Sequence, residues 1–221
     1  MCDCIKRTGP IVTQQRPLSG FDEIFVEDNL DVFITQDSIF EVTVEAGKNL
    51  RGMITTEIRE GTLYIKNNNK CNWARSYKEP HNIYIKMPII KYITSNGTGD
   101  IKSTNVITNN TFDVRVENSG NIELMVNNAQ VVSHIFGAGD LILHGYTNEH
   151  LSDIGGTAFL KCQDLQTKHT YLHTATTGLC YVSASDNFEC KIDDIGDVYC
   201  YGSTKIVEKQ INGKGQLFLN Q

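Results

Sequence analysis

Side chains with oxygen ligands recur immediately after the same position of a glycine-containing motif at three places in the chain. Asp100, Asn121 and Asp140 follow Gly99, Gly120 and Gly139 at spacings of 21 and 19 residues. If folding brings these positions together, their oxygens could bind a hard cation such as calcium. Asp and Asn also complete turns through their own side chains, and three such residues supply fewer oxygens than calcium prefers unless water fills in. We therefore favour turn formation without any cofactor, with calcium as the alternative.

The segment "SHIFGAGDLILHG" (133–145) raises a second possibility, a glycine-rich loop that binds phosphate. A dinucleotide-binding fingerprint requires a strand, a turn and then a helix, with a third glycine. Here the two glycines precede alternating apolar residues, which indicate a strand. The pattern therefore favours a corner that only glycine can form, because glycine accepts backbone conformations and close approaches that a side chain would prevent.

No nucleophile or metal centre can be assembled from the histidines by spacing. His134 and His173 fall at one repeat position but two repeats apart. On stacked strands they would be about 9.6 Å apart, too far for a shared metal. No Ser-His-Asp or Cys-His arrangement is recognisable, and the acidic residues are dispersed rather than paired as in polysaccharide lyases and hydrolases. The sequence thus predicts no catalytic residues.

Seven cysteines are present, an odd number that argues against a complete set of disulfides. There is no CxxC pair, and the spacings of the later cysteines do not match zinc ligation. We expect these four to be small buried apolar side chains; they are Cys162, Cys180, Cys190 and Cys200.

Composition limits the class of protein. Of 221 residues, 40% are hydrophobic and 21% charged, which is typical of a globular chain with a substantial core. The net charge of −6 disfavours nucleic acid as a partner. The sequence contains no run of 18 apolar residues, so it predicts no membrane-spanning helix.

A repeat of about 20 residues organises the second half of the chain. Segments such as "NGTGDIKS", "ENSGNIEL" and "FGAGDLIL" align on seven successive positions, which are Gly99, Gly120, Gly139, Thr157, Gly178, Gly196 and Gly215. Two residues later the chain is apolar every time, at Ile101, Ile122, Leu141, Phe159, Cys180, Val198 and Leu217. A fixed period with two-residue alternation predicts a parallel β-helix whose coils stack and share one interior, with few helices. Lys161 and Lys209 interrupt otherwise apolar columns, which we interpret as local register shifts.

The region before residue 92 alternates less regularly. We predict a tail at residues 1–17 and one β-helix domain at 18–221, with irregular first coils and a cap at 18–91 and regular coils at 92–221. A cap is needed because an open terminal coil exposes unpaired strand edges. A separate N-terminal β-sandwich is the alternative.

One long polar loop, "NNNKCNWARSYKEPHN" (67–82), contains the only tryptophan. Its functional interpretation is a contact surface for sugar rings or a partner protein through Trp73, Arg75 and Tyr77. The alternative is an insertion whose tryptophan covers an open end of the core.

The sequence resembles a bacterial family named as auto-transporter adhesin, head GIN domain. The resemblance rests on "SGFDEIFVEDNLDVFIT", "VTVEAGKNL", "TTEIREGTLYIKN", "IYIKMPIIKYITSNGTGDI" and the recurring glycine corners, and spans about Leu18 to Leu219. It implies a right-handed parallel β-helix, export to the cell envelope and frequent assembly into homo-oligomers. The family offers no catalytic residues to carry over. Three segments, "IGGTAFLK", "ATTGLCYV" and "DDIGDVYC", depart from the pattern by lacking one glycine, and the loop with Trp73 is not part of it.

With the resemblance, the sequence predicts a non-enzymatic exported protein of the bacterial envelope, in the periplasm or at the outer-membrane surface, that binds a surface glycan or an envelope protein. The start "MCDCIKRTGP" contains no signal core. If Met1 replaces a removed export segment, Cys2 occupies the position of a lipoprotein's lipid, which would be the only link to a membrane; a cytoplasmic protein is the alternative. Two further functions remain open, a carbohydrate-active enzyme on the same fold and a self-assembling structural element.

Overall fold

The structure is a computed structural model and describes residues 7–70 and 80–220. Strands dominate, and the one helical element described is a 3-10 helix at Arg51–Met53. The strands are β1 (Ile11–Arg16), β2 (Glu23–Asp28), β3 (Asp31–Gln36), β4 (Glu41–Gly47), β5 (Ile54–Arg59), β6 (Thr62–Asn67), β7 (Asn82–Met87), β8 (Tyr92–Gly97), β9 (Ile101–Val116), β10 (Ile122–Ile135), β11 (Leu141–Gly156), β12 (Leu160–Lys161), β13 (Leu165–Thr176), β14 (Cys180–Ser183), β15 (Asn187–Ile192), β16 (Val198–Tyr201), β17 (Lys205–Ile211) and β18 (Leu217–Asn220).

The strands form a β-solenoid of stacked parallel coils of about 19 residues, which confirms the predicted fold class. Two faces run along it. On the first face, the start of β9 pairs with β3, and the stack continues through the starts of β10 and β11 to β12, β14, β16 and β18. On the second face, the end of β9 pairs with β8, and the stack continues through the ends of β10 and β11 to β13, β15 and β17.

The N-terminal strands belong to the same stack but follow a different order. On the second face β2 lies between β6 and β8, and on the first face β3 lies between β7 and β9, all in parallel. Antiparallel strands then close this end, with β4 against β7, β1 against β4 and β5 against β6. The N-terminal strands thus pair directly with the later coils, β2 with β8 and β3 with β9. β1 lies within residues 1–17, the range predicted as a tail, and pairs with β4.

Apolar side chains form columns inside the coils, as the alternation predicts. One column contains Ile101, Ile122 and Leu141, all fully buried. The next member is Leu160, which pairs with Leu141 and Cys180, and not Phe159 as the glycine alignment predicts. Phe159 is 36% exposed, whereas Leu160 is completely buried. The coil at 154–161 lacks the second glycine, so Ala158 and not Thr157 occupies the corner position.

This one-residue correction of the alignment explains why the Lys161 side chain points outward. Because the inner column passes through Leu160 and the buried Cys162, Lys161 points outward and pairs with Ile142 and Tyr181. Its ammonium lies 2.7 Å from the Asp140 carboxylate. Lys161 therefore does not interrupt the apolar column, and the pairing of β12 with β11 and β14 has no register shift at this residue.

The last described coil leaves part of its inner side open. Ile206, Ile211 and Leu219 continue the columns of Phe188, Ile192 and Cys200, yet they are 40%, 39% and 49% exposed. The pairing register of β15 with β17 shifts between Phe188 and Glu189, so that Lys209 lies opposite Cys190. A local register shift is how the sequence analysis interpreted Lys209. An inward-facing charge at an open strand edge discourages unwanted edge-to-edge pairing.

A buried polar cluster lies within the second face. The Ser133 hydroxyl donates to Ser152 Oγ at 2.9 Å and lies 3.0 Å from His150 Nε2. All three side chains are buried. Since the one Ser133 proton points to Ser152, His150 Nε2 must carry a proton and donate to Ser133, which suits a neutral ring.

His150 should make the protein less stable in mild acid. Burial lowers the pKa of His150 to about 4. Above its unfolded pKa, roughly 6.5, both states are neutral and the residue has no effect. As the pH falls from there toward 4, only the unfolded state takes up the proton, so the unfolding free energy declines by up to about 1.4 kcal/mol per pH unit.

We expect His150→Gln, which keeps an amide donor but does not titrate, to remove about 2 kcal/mol of the stability difference between pH 7 and pH 4.5. Urea unfolding of wild type and variant at both pH values measures this. Gln163→Ala, at an exposed residue that does not titrate, is the control and should leave the difference unchanged. An unaltered pH dependence in His150→Gln would contradict the assignment.

Candidate functional site

The three residues considered for calcium do stack, and each makes a bond to the adjacent coil. Asp100 Oδ1 accepts from the backbone N–H of Asn121 at 3.2 Å and from its side-chain amide at 3.0 Å. Asn121 Oδ1 in turn accepts from the N–H of Asp140 at 2.9 Å. Asp140 Oδ1 accepts from the N–H of Phe159 at 3.0 Å, and its other oxygen binds Lys161.

These bonds give the column a structural role. The oxygens connect each coil to the next through backbone donors, and Asp31 and Asp197 extend the same arrangement to Asp100 and Gln216. Among the residues that the structure describes, no cluster of three or more His, Cys, Asp or Glu side chains could hold a metal ion. These bonds are those of corner formation, the interpretation that the sequence favours over calcium.

Two predicted sites lie outside the described residues. These are the contact loop with Trp73, Arg75 and Tyr77, and Cys2 as a lipidation position. They stay predictions.

The four later cysteines are buried and free, as predicted from their spacing. Burial raises the pKa of Cys180 to about 11 and those of Cys190 and Cys200 to about 12, and it raises the pKa of Cys162 further. Since the thiolate is the reactive form, these side chains serve packing and not chemistry.

A groove of about 400 Å³ with an apolar floor lies on the second face and is the candidate binding site. Its floor is apolar and is built from outward-facing side chains at one register position of successive strands, Val132 on β10, Leu151 on β11 and Tyr171 on β13. The same row continues into Glu189 on β15 and Glu208 on β17. Strand alternation produces the row, because every second residue points outward and equivalent residues stack along the solenoid.

A charged network forms the wall of the groove one row away. His173 Nδ1 lies 3.0 Å from Asp153 Oδ1, and its Nε2 lies 2.8 Å from Asp193 Oδ2. Asp193 also binds the Lys191 ammonium at 2.6 Å and the Asn212 amide at 2.6 Å. The hydrogen bonds from Lys191, and then those from His173 and Asn212, hold the pKa of Asp193 below its usual range. The wall is therefore a hydrogen-bonded network that contains the ion pair of Lys191 with Asp193.

The two glutamates at the end of the floor differ from the wall. Glu189 and Glu208 sit directly opposite each other on β15 and β17. Within the described residues neither carboxylate forms an ion pair or a side-chain hydrogen bond. These acceptors face the groove without internal competition, so they are available to a ligand.

Sequence reasoning found His134 and His173 at one repeat position but missed what lies between them. The residue there is Asp153, which pairs with both. The alignment on Thr157 placed Ser152 in that column, and the one-residue correction at Ala158 restores Asp153. Counting the buried residue Leu160, and not Phe159, as the repeated apolar position would have identified it.

Comparisons with known proteins agree with this fold. A family described as "Putative auto-transporter adhesin, head GIN domain" matches residues 20–204. A comparison with curated protein sequences gives no match.

The described part of the chain contains no helix with the length and apolar character needed to cross a membrane.

Several solved bacterial structures are similar over nearly their whole length. A "putative adhesin" from Bacteroides fragilis has a TM-score of 0.87 at 17% identity, covering 96% of this chain and 97% of that one. A "putative adhesin" from Parabacteroides merdae gives 0.73 at 15%, with 96% and 97% covered. A "putative lipid binding protein" from Parabacteroides distasonis gives 0.75 at 18%, with 96% and 98% covered. At such identities the likeness establishes the fold alone.

Proposed function

The chain belongs to the family described as "Putative auto-transporter adhesin, head GIN domain", and from that premise we propose that it is a non-enzymatic, exported envelope protein that binds a surface glycan through the groove on its second face. Adhesins act outside the cytoplasm, which supports an extracellular or envelope location. The solved relatives whose names give a role are called adhesins or a lipid-binding protein, and none of these names describes an enzyme.

The observation that carries the proposal is the combination of side chains in the groove. Tyr171 adds an aromatic ring to an aliphatic floor, and carboxylates and an amide line the same space. Saccharides present C–H faces that pack on aromatic rings and hydroxyls that donate to carboxylates. A concave apolar surface with a few polar groups is the usual form of a ligand site.

The groove also suits a saccharide better than an extended peptide. Peptides commonly bind solenoid and sheet proteins by adding a strand to a free edge. At Tyr171 there is no such edge, because β13 is paired on both sides by β11 and β15. Recognition there must use side chains, as in glycan binding.

We expect Tyr171→Ala to weaken binding to envelope glycans at least tenfold, since aromatic contacts in a binding site contribute about 1.4 kcal/mol or more. A glycan array followed by calorimetry with the best ligand measures this. Tyr199→Ala is the matched control, because Tyr199 stacks with Tyr181 and Phe218 in an outward row on the other face.

Equal loss in both tyrosine variants, or none in either, would show that the groove is not the binding site. Release of a defined product from a polysaccharide substrate would refute the non-enzymatic assignment.

One observation favours self-association as a second function. The exposed inner residues Ile206, Ile211 and Leu219 leave apolar surface at one end of the solenoid, which a second copy could cover. Light scattering across a concentration series tests it, and a strictly monomeric protein at high concentration would exclude a homo-oligomer.

A further inference from the structure

We propose that the groove selects glycans that carry a protonated amine, which Glu189 and Glu208 bind. This inference rests on the proposed function and specifies its ligand. The carboxylates of Glu189 and Glu208, at the end of the groove floor, lie directly opposite each other on neighbouring strands. Like charges in such a pair destabilise a sheet by themselves, and a cation placed between them relieves the repulsion.

The neighbouring cations of the protein do not supply that charge. Lys191, the adjacent lysine in the wall, is bound to Asp193, and both ring nitrogens of His173 face carboxylates. Lys209 lies opposite Cys190, in a column that points to the interior side of the sheet. Gln210, next to Lys191 on the adjacent strand, is neutral. Lys205, opposite Asn187 in the adjacent outward row, forms no ion pair with either glutamate in the described chain. The two carboxylates are therefore left without a bound cation of the protein.

The apolar floor argues against a bare metal ion as the cation that binds Glu189 and Glu208. Two glutamates offer few ligands for calcium or magnesium, and no metal-binding cluster of three or more groups occurs in the described chain. A simple ion would also leave Val132, Leu151 and Tyr171 without a role. A ligand that combines a ring for the floor with a charged donor for the glutamates uses both parts of the groove.

The dimensions fit an amino sugar within an oligosaccharide. Neighbouring strands are about 4.8 Å apart, so Glu189 and Glu208 lie about one and two strand spacings beyond Tyr171 along the row. A sugar ring packed on Tyr171 thus brings its own amine, or that of the next ring, to the carboxylates. Hydrogen bonds between an ammonium and carboxylates are about twice as strong as neutral ones, so the amine should dominate selectivity.

The test compares two tetrasaccharides with the same linkage and length, one of glucosamine and one of N-acetylglucosamine, by calorimetry at pH 6. We expect the wild-type protein to bind the glucosamine oligomer at least tenfold more tightly, since a charge-assisted bond contributes about 1.5 kcal/mol or more. Glu189→Gln and Glu208→Gln should each reduce the preference, and the double variant should bind both oligomers equally. Glu60→Gln, a carboxylate in the turn before β6 and outside the groove, is the control for general charge attraction.

The outcomes distinguish a failure of the amine preference from a failure of the proposed glycan binding. Equal binding of both oligomers that Tyr171→Ala abolishes would refute the amine preference while leaving glycan binding in place. A preference that survives in the double variant, or falls equally in Glu60→Gln, would show that the charge is recognised elsewhere. No binding of the glucosamine oligomer also refutes the inference, whereas the array of envelope glycans then decides the proposed function separately.

Discussion

Replacing Gly139 with alanine is expected to lower the unfolding free energy by up to about 3 kcal/mol, because overpacking a well-packed structure typically costs about 1–3 kcal/mol. A Cβ at this position would lie 2.1 Å from the carbonyl oxygen of Gly120 on the adjacent coil. Gly120 has the same relation to Gly99. Backbone atoms are the obstacle, so no side-chain rotation relieves the clash and the two coils must separate locally.

The control for Gly139→Ala is Gly155→Ala on β11. A Cβ at Gly155 would meet only ordinary contacts, 3.7 Å to the ring of Phe136 and 3.9 Å to a carbonyl oxygen. Its variant should be neutral, or more stable by up to about 1 kcal/mol, because alanine restricts the unfolded chain. Guanidinium unfolding of both variants measures the difference. Similar stability of the two would show that the corner glycines are not required for coil stacking.

Truncation of Leu160 should cost between about 2 and 5 kcal/mol, the range for a leucine deleted from a packed core. Leu160 is fully buried between Leu141 and Cys180 in the inner column. Phe159→Ala, although it removes more atoms, should cost less than about 1 kcal/mol. Its ring is partly exposed and lies 5.6 Å from the Lys161 ammonium on the outer surface.

This pair of substitutions distinguishes the two possible registers directly. The glycine alignment puts Phe159 inside, whereas the strand pairing puts Leu160 there. A larger loss for Phe159→Ala than for Leu160→Ala, measured by chemical unfolding, would restore the alignment and contradict the pairing of β11 with β12.

Much of the fold could be predicted because the repeat is visible at the level of single residues. Alternating apolar positions two residues after each corner predicted six of the seven inner-column residues, from Ile101 to Leu217. Cys180, Cys190 and Cys200 also fall in the apolar columns of this pattern, whereas Cys162 does not, because the alignment on Thr157 placed Lys161 there. The failure came at Thr157, where the absence of a second glycine removed the mark of the corner.

The groove could not be predicted in the same way. Its floor of Val132, Leu151 and Tyr171 occupies outward positions, which no core requirement restricts, so their types follow no period. The contact of His173 with Asp153 depends on a one-residue register that the sequence leaves open. The position of β2 between β6 and β8 could not be predicted either, because parallel pairing between distant segments has no local sequence signal.

By itself, the sequence determined the coil, its period and the identity of most residues that point inward, because a strand that buries one face must alternate and a stacked coil must repeat. Only the tertiary structure decided which charges meet across coils, where Lys161 points and how the N-terminal strands close one end. Those features depend on register between strands far apart in the chain, and a shift of one residue moves every side chain to the opposite face.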